Sequence, residues 1–186
     1  PIFAQAQFNK YPIPYRKGDK WGYCDEQKNI IVEPIYDEVE LYERSSSVSF
    51  GEVKQKNKIG IVDEKGKLIV PVKFDKIERI YYESEKLLTP VHDMDLTPFV
   101  IVQKGKKYGF YNTKTGKSTK TKLSKITYTQ LTEWKEFLFI GEKGSKQYKI
   151  DLETAALIPV TEEEITVLLK DKSDIEEEFL VAMKVE

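Results

Sequence analysis

The residues of this chain that are best suited to binding chemistry lie in one stretch, residues 81–98. It holds the single histidine, His92, followed closely by Asp93 and Asp95. Metal ions accept imidazole and carboxylate ligands, but one histidine with two acids in a row lacks the ligand spacing of a recognisable metal site. We therefore predict neither a metal site nor a cofactor, and we interpret the stretch as a surface loop that can contribute to binding.

Aromatic side chains supply the other candidate binding residues. Tyr81 and Tyr82 begin the same stretch, and Trp134 lies further along the chain. Tyr and Trp combine an apolar ring with a polar tip, so they suit wet interfaces with proteins or sugars. The candidate binding residues from the sequence are therefore Tyr81, Tyr82, His92, Asp93, Asp95 and Trp134.

Catalytic residues are not indicated by the sequence. Acid–base catalysis needs two carboxylates at a defined separation, and no pair among the 31 acidic residues is distinguished by its spacing. Gly105 and Gly144 stand alone among lysines and do not form a glycine-rich phosphate loop. We therefore predict that the chain is not an enzyme, and a propeller-type hydrolase is the least favoured alternative.

Lysines are concentrated in residues 104–125. With Tyr108, Tyr111 and Tyr128 nearby, they suggest a surface for a polyanion, but edge-strand lysines that protect a sheet from aggregation are the interpretation we favour. The whole chain has a net charge of −1, so we predict no nucleic-acid partner. The lysines are Lys104, Lys106, Lys107, Lys114, Lys117, Lys120, Lys122 and Lys125.

Composition favours strands. The 186 residues include 11 Tyr and 9 Phe, and residues of this type pack well in sheets. The single cysteine, Cys24, cannot form an intrachain disulfide, and we predict that it is a small buried side chain. No apolar run is long enough to span a membrane, so we predict no membrane span.

The elements that position these residues form an internal repeat. Three segments each have a large apolar residue, a glycine and another large apolar residue, with Asp or Asn three residues after the glycine. We predict that these glycines mark a β-bulge or a close backbone contact. The residues that we assign to the repeat framework are Trp21, Gly22, Tyr36, Asp37, Gly60, Phe74, Asp75 and Gly109.

The repeat also separates core from surface aromatics. Trp21 recurs as Ile59 and Tyr108 in the next two copies, so we predict that all three occupy equivalent core positions. Trp134 has no such counterpart and is the better surface candidate.

Polar residues that recur in every copy are interpreted as turn formers. An Asx residue such as Asp25 or Asp63 opens a tight turn, which a left-handed Gly or Asn closes, and we predict this conformation for Asn29. Asp37 and Asp75 each follow an aromatic residue, and we predict that they cap a turn by side-chain-to-backbone hydrogen bonds.

The run Lys20-Trp21-Gly22-Tyr23 followed by Asp25 resembles the WG-repeat family of bacterial proteins, which is named for the Trp-Gly pair. The resemblance covers roughly residues 12–166 and is most specific in the first two copies. It weakens in the third copy, which has Leu123-Ser124, and in the fourth, where Tyr148 replaces the glycine. The resemblance implies a bacterial, often exported, β-repeat array without known catalytic residues.

We therefore predict an all-β fold of tandem four-stranded antiparallel meanders, arranged as a propeller or as a β-solenoid. A single domain spans residues 8–186, with copies at about residues 12–49, 50–98, 99–136 and 137–178 and a partial fifth copy from residue 179. At most a short helix is expected near residues 162–178.

Two capping boxes compete for that helix, one at Thr161 and one at Ser173. The repeat register argues against a helix at the first, so we favour a helical turn at residues 173–178.

The N-terminal residues indicate export. Ala4 and Ala6 follow an apolar stretch with the small-x-small spacing of a signal-peptide cleavage site, so residues 1–7 are interpreted as a signal-peptide remnant. We accordingly predict a periplasmic, surface or secreted location. The predicted function is a non-catalytic binding or scaffolding module that interacts with a protein at the cell envelope, and the alternative is a carbohydrate-binding accessory domain.

Overall fold

The computed structural model describes residues 11–44, 48–82, 96–131 and 136–170. Within these ranges the chain forms antiparallel β-sheets and one short helix, which confirms the predicted all-β class. The chain divides into two units, residues 1–77 and residues 78–186, which are described separately.

The first unit contains two sheets. The first sheet has the order β1-β2-β3 and consists of β1 (Ile13–Lys17), β2 (Lys20–Cys24) and β3 (Ile30–Tyr36). The second has the order β4-β6-β7-β8, with β5 paired to β6. Its strands are β4 (Glu38–Val39), β5 (Glu43–Arg44), β6 (Ser49–Gln55), β7 (Lys58–Asp63) and β8 (Leu68–Phe74).

The third and fourth sheets belong to the second unit, apart from the first residues of β9. The third sheet has the order β12-β11-β10-β9, and the fourth has the order β13-β14-β15-β16. The strands of the third are β9 (Lys76–Tyr81), β10 (Leu96–Lys104), β11 (Lys107–Asn112) and β12 (Lys117–Ser118). Those of the fourth are β13 (Lys125–Gln130), β14 (Phe137–Lys143), β15 (Lys146–Ile150) and β16 (Leu157–Val160), and helix α1 follows at residues 162–170.

The second, third and fourth sheets each begin one strand before the sequence copy that they contain. Strands β4, β9 and β13 come directly after Asp37, Asp75 and Ser124, at the end of the preceding copy. Each then pairs with the strand that opens the next copy, as β4 does with β6. Consecutive copies are therefore linked by a shared sheet as well as by the chain.

The predicted bulge is present at the framework glycines. In the first sheet the register shifts between Trp21, opposite Tyr36, and Tyr23, opposite Val32. The second sheet repeats the shift with every partner 38 residues later. A Cβ added at Gly60 would lie 2.7 Å from the carbonyl oxygen of Val70, so only glycine allows the backbones to approach this closely.

The fourth copy shows what happens without the glycine. Tyr148 takes the glycine's place and lies opposite Pro159, and the pairing of β15 with β16 continues without a shift from Gln147 to Ile150. The bulge and the glycine are therefore lost together.

Trp21, Ile59 and Tyr108 occupy equivalent positions, and none of them is fully buried as predicted for a core residue, although Tyr108 packs against the core of the second unit. Each pairs with the large apolar residue at the end of its return strand, and each is only half-buried. The fully buried position lies two residues later along the strand. It is filled by Tyr23, Ile61 and Phe110, which are fully buried.

The Asx turns are confirmed, with one correction. The Asp63 side chain accepts hydrogen bonds from the backbone N–H groups of Lys65 and Lys67, and Gly66 is left-handed. In the first copy the left-handed residue is Lys28, at φ 66°, and not Asn29. Asn29 instead donates to the Asp25 carboxylate from both its backbone N–H and its side-chain amide. These two hydrogen bonds join the ends of the turn.

The helix begins at the first capping box, which confirms the short helix expected near residues 162–178 and contradicts the argument from the repeat register against that box. The Glu164 carboxylate accepts from the Thr161 backbone N–H at 2.7 Å, and the Thr161 hydroxyl accepts from the Glu164 backbone N–H at 3.2 Å. This reciprocal bonding outweighs the repeat register, because the fourth copy has already lost the bulge that sets the register. Residues 173–178 lie outside the described ranges.

Each unit has its own apolar core. The core of the first unit includes Tyr23, Val53 and Val62, and Cys24 is buried there as predicted. The core of the second is rich in aromatic rings, including Phe99, Phe110, Phe137 and Phe139. Across residues 11–44, 48–82, 96–131 and 136–170, no helix is both long and apolar enough to cross a membrane.

Candidate functional site

Four of the six candidate binding residues, His92, Asp93, Asp95 and Trp134, lie outside the described residues. Tyr81 ends strand β9 and Tyr82 follows it, and both are half-buried. The Tyr82 ring lies 5.4 Å from the Phe137 ring and packs against the core of the second unit. Tyr82 therefore contributes to packing. In the parts of the chain that the structure describes, no group of three His, Cys, Asp or Glu residues is arranged to hold a metal ion.

Tyr128 is the one aromatic residue of the described ranges that is classed as exposed, with 40% of its surface accessible. It lies on β13, the edge strand of the fourth sheet, and its ring stacks on Phe139 at 5.4 Å. A single exposed ring whose face is partly covered does not make a row of stacking platforms.

The recurring turn aspartates are held by local hydrogen bonds. Asp25 bonds to Asn29, and this bond is the main reason that its pKa lies below the usual value. Asp151 accepts from the hydroxyl and the backbone N–H of Thr154, which lower its pKa in the same way. These carboxylates are ionised turn formers.

A buried tyrosine connects the two sheets of the first unit. The Tyr23 hydroxyl, carried by β2, donates to the carbonyl of Glu40 at 2.6 Å and lies 3.0 Å from the carbonyl oxygen of Glu52. The Tyr42 ring meets Tyr23 edge-on at 4.7 Å, and burial raises the pKa of Tyr42. Gly51 makes room for both rings, since a Cβ there would lie 2.6 Å from Tyr42.

Asp37, which follows β3, contacts both strand β2 and the turn between β6 and β7. Its carboxylate pairs with the Lys20 ammonium at 2.5 Å and accepts from the backbone N–H of Lys56 at 2.7 Å. The Lys20 hydrogen bond is the largest cause of the lowered pKa of Asp37, and the Lys56 N–H is the next. The predicted bond to a turn is confirmed, whereas the ion pair was missed. A signal for it exists, because Lys20 and Lys58 recur in the same phase.

The second copy repeats this ion pair. Lys58 pairs with Asp75, and these residues lie 38 positions after Lys20 and Asp37. Both pairs join the first residue of a hairpin's second strand to the residue that follows the return strand, so in each of these two copies a carboxylate neutralises the hairpin lysine.

The third copy keeps the lysine and loses the carboxylate. Tyr108 and Leu123 form the bridge that corresponds to Trp21 and Tyr36, with backbone bonds of 2.9 and 3.1 Å. Lys107 therefore stands level with Ser124, as Lys20 does with Asp37. The Ser124 hydroxyl donates to the Glu142 carbonyl at 3.0 Å, and Lys107 makes no ion pair with any residue of the described ranges.

Further lysines surround this position. Residues 96–131 contain eight lysines, all of them exposed, and no Asp or Glu. The hairpin places Lys104 and Lys106 beside Lys107, and Lys122 is one residue before the Leu123 bridge. Lys125 is compensated by Glu142 at 3.5 Å, a pair that repeats Glu38 with Lys54 but with the charges exchanged. We call Lys104, Lys106, Lys107 and Lys122 the lysine cluster.

Comparison with known proteins agrees with the repeat. Residues 21–58 and 59–84 match the family model described as a WG containing repeat. Searches of curated proteins and of solved structures returned no match. The matched residues include both glycine bulges, Asp37 and the Lys58–Asp75 pair, and they stop before the copy that lacks the carboxylate. Residues 21–84 are thus similar to the WG-repeat family.

Proposed function

We propose that this chain is a non-catalytic scaffold that binds a protein partner at the cell envelope. The observation that carries the proposal is the engagement of the recurring aspartates. Asp25, Asp63 and Asp151 hold turns, and Asp37 and Asp75 hold ion pairs. Carboxylates fixed in the same role in successive copies serve the framework and are poorly placed for proton transfer to a substrate.

A protein partner is favoured over a glycan by the character of the exposed surface. Tyr128 alone among the described aromatic residues is exposed, whereas sugar binding by stacking uses open ring faces. Exposed aliphatic side chains are more frequent, and Ile35 and Leu41 of the first unit have 52% and 76% of their surface accessible. Such side chains, together with the exposed lysines of the hairpins, suit a mixed polar and apolar protein interface. The envelope location rests on the signal-like residues 1–7.

The test is a photo-crosslinking experiment on the whole chain. A photoreactive amino acid replaces Leu41 in one protein and Lys106 in another, and each is exposed to an envelope fraction and to a glycan array. We expect a discrete protein adduct from at least one position and no retained glycan. Retention of a glycan, or turnover of a glycoside substrate, with no protein adduct from either position would overturn the proposal.

A further inference from the structure

The place of Asp37 in the first copy defines an anion position. Its carboxylate sits between the ammonium of Lys20 and the backbone N–H of Lys56, the first turn residue of the following hairpin. Lys56 is left-handed there, with φ of 51°. The Asp37 backbone N–H also donates to the Lys54 carbonyl at 2.8 Å, which fixes the aspartate against that hairpin.

The same frame exists at Ser124 in the second unit. The Ser124 backbone N–H donates to the Glu142 carbonyl at 2.8 Å, as that of Asp37 does to Lys54. Gly144 is the first turn residue of the following hairpin, and its φ of 64° matches that of Lys56. Lys107 stands where Lys20 stands, so an ammonium and a backbone N–H flank a side chain that carries no negative charge.

We infer that the lysine cluster, together with the Gly144 N–H, binds an acidic segment of a protein partner, whose Asp or Glu side chain takes the position that Asp37 and Asp75 occupy in the first two copies. The inference rests on the proposed function and names the chemistry of the partner. It also assigns a role to exposed lysines that carry no ion pair within the described residues.

The chain itself favours a carboxylate over a phosphate polymer. Asp37 demonstrates that a carboxylate fits between these donors, and Asp75 repeats the contact with the lysine. Residues 96–131 contain no arginine, which is the side chain best suited to bidentate phosphate recognition. Gly144 has open space around it, because a Cβ added there meets no atom within 4 Å, so an extended peptide is able to approach its backbone.

The binding experiment uses the whole chain and a short fluorescent peptide rich in Glu and Asp. Peptide affinity is measured by anisotropy at low and at high salt, beside an oligothymidine and vesicles that contain phosphatidylserine. We expect peptide binding that weakens with salt and exceeds binding of both other probes. Equal or tighter binding of the oligonucleotide or of the vesicles would overturn the inference.

Two substitutions at Ser124 separate charge from shape. Ser124→Asp supplies the carboxylate from within the chain, and we expect it to weaken peptide binding about two- to fivefold, the scale of an exposed ion pair. Ser124→Asn introduces a side chain of nearly the same size as Asp but without its charge, and we expect it to leave peptide binding unchanged. Equal effects of the two substitutions, each with an unchanged circular dichroism spectrum, would contradict the inference.

A pair of lysine variants tests the location. Lys107→Gln is expected to weaken peptide binding, whereas Lys114→Gln, in the turn beyond the opposite end of β11, is expected to have a clearly smaller effect. If peptide binding is insensitive to Ser124→Asp and Lys107→Gln while the protein adduct of the crosslinking experiment persists, the acidic-segment inference fails and the scaffold proposal stands. Absence of any protein adduct from the parent chain would count against the scaffold.

Discussion

The first two copies and the third copy share a backbone arrangement and differ in one charge. Trp21 pairs with Tyr36, Ile59 with Phe74 and Tyr108 with Leu123, so the register at this point is the same. Asp37 and Asp75 neutralise the hairpin lysine in the first two copies, and Ser124 leaves Lys107 without that partner.

The difference teaches which parts of the repeat the fold requires. The bridge forms in the third copy without the carboxylate, so the ion pair does not set the register. This is consistent with the partial exposure of Lys20 and Asp37, whose side chains are 48% and 39% accessible and are screened by water. The backbone depends more on the glycine than on the ion pair. The bulge is present at Gly22 and Gly60 and is absent at Tyr148.

The largest effect is expected where the framework is most constrained. Gly60→Val would drive a branched side chain against the Val70 carbonyl and the Val72 side chain, and we expect a loss of about 3 kcal/mol in the free energy of unfolding. Tyr148→Val, in the same phase of the fourth copy, is expected to cost less than about 1 kcal/mol. Urea denaturation of the two variants measures both, and similar midpoints would break the assignment of the bulge to this glycine.

The next effect sharpens the contrast between Tyr23 and its apolar counterparts Ile61 and Phe110. Tyr23→Phe removes the hydroxyl contacts to two carbonyls in a buried place, and we expect a loss of about 1–2 kcal/mol. The control is Tyr36→Phe, since the Tyr36 hydroxyl makes no hydrogen bond to a described residue. Thermal denaturation of the two variants measures their loss of stability. A loss in Tyr36→Phe as large as that in Tyr23→Phe would contradict the role of the Tyr23 hydroxyl.

A smaller effect separates the ion pair from the register. The pKa of Asp37 is lowered in the folded chain, chiefly by Lys20, so its stabilising contribution is present above the unfolded pKa of about 4 and disappears as the pH falls through the folded value. Asp37→Asn should therefore lower the Tm at neutral pH, and the difference from the parent should shrink towards pH 2. A difference that is constant or grows on acidification would show that the charge is not responsible.

The sequence predicted the strands and turns well because the repeat exposes them. Gly22 and Gly60 predicted the bulge, and Asp25 and Asp63 predicted the turns, since each position has one local physical requirement. The burial of Trp21 was not predictable from recurrence alone, because recurrence shows equivalence and does not say how completely a position is covered. The short helix near residues 162–178 was expected, but its start at Thr161 was disfavoured because the repeat register was weighted above a local capping box.

The candidate site was less predictable than the fold. Lys107 and Ser124 were visible in the sequence, and the lysines around them were interpreted as edge protection. Their meaning depends on the pairing of Lys20 with Asp37 across the sheet, a contact between residues 17 positions apart that only the register establishes. Comparing the charges at equivalent positions of the aligned copies, residue by residue, leads to this site.

The most direct test of the account is an NMR titration of backbone amides with the acidic peptide. In the parent chain we expect the largest shifts at Lys107, Ser124 and Gly144, with smaller ones at Lys20 and Lys58. In an Asp75→Ser variant, which reproduces the third-copy arrangement in the second copy, we expect additional shifts at Lys58. Shifts of equal size at all hairpin lysines of the parent, or an unchanged response of Lys58 in the variant, would contradict the claim that the missing carboxylate defines the binding position.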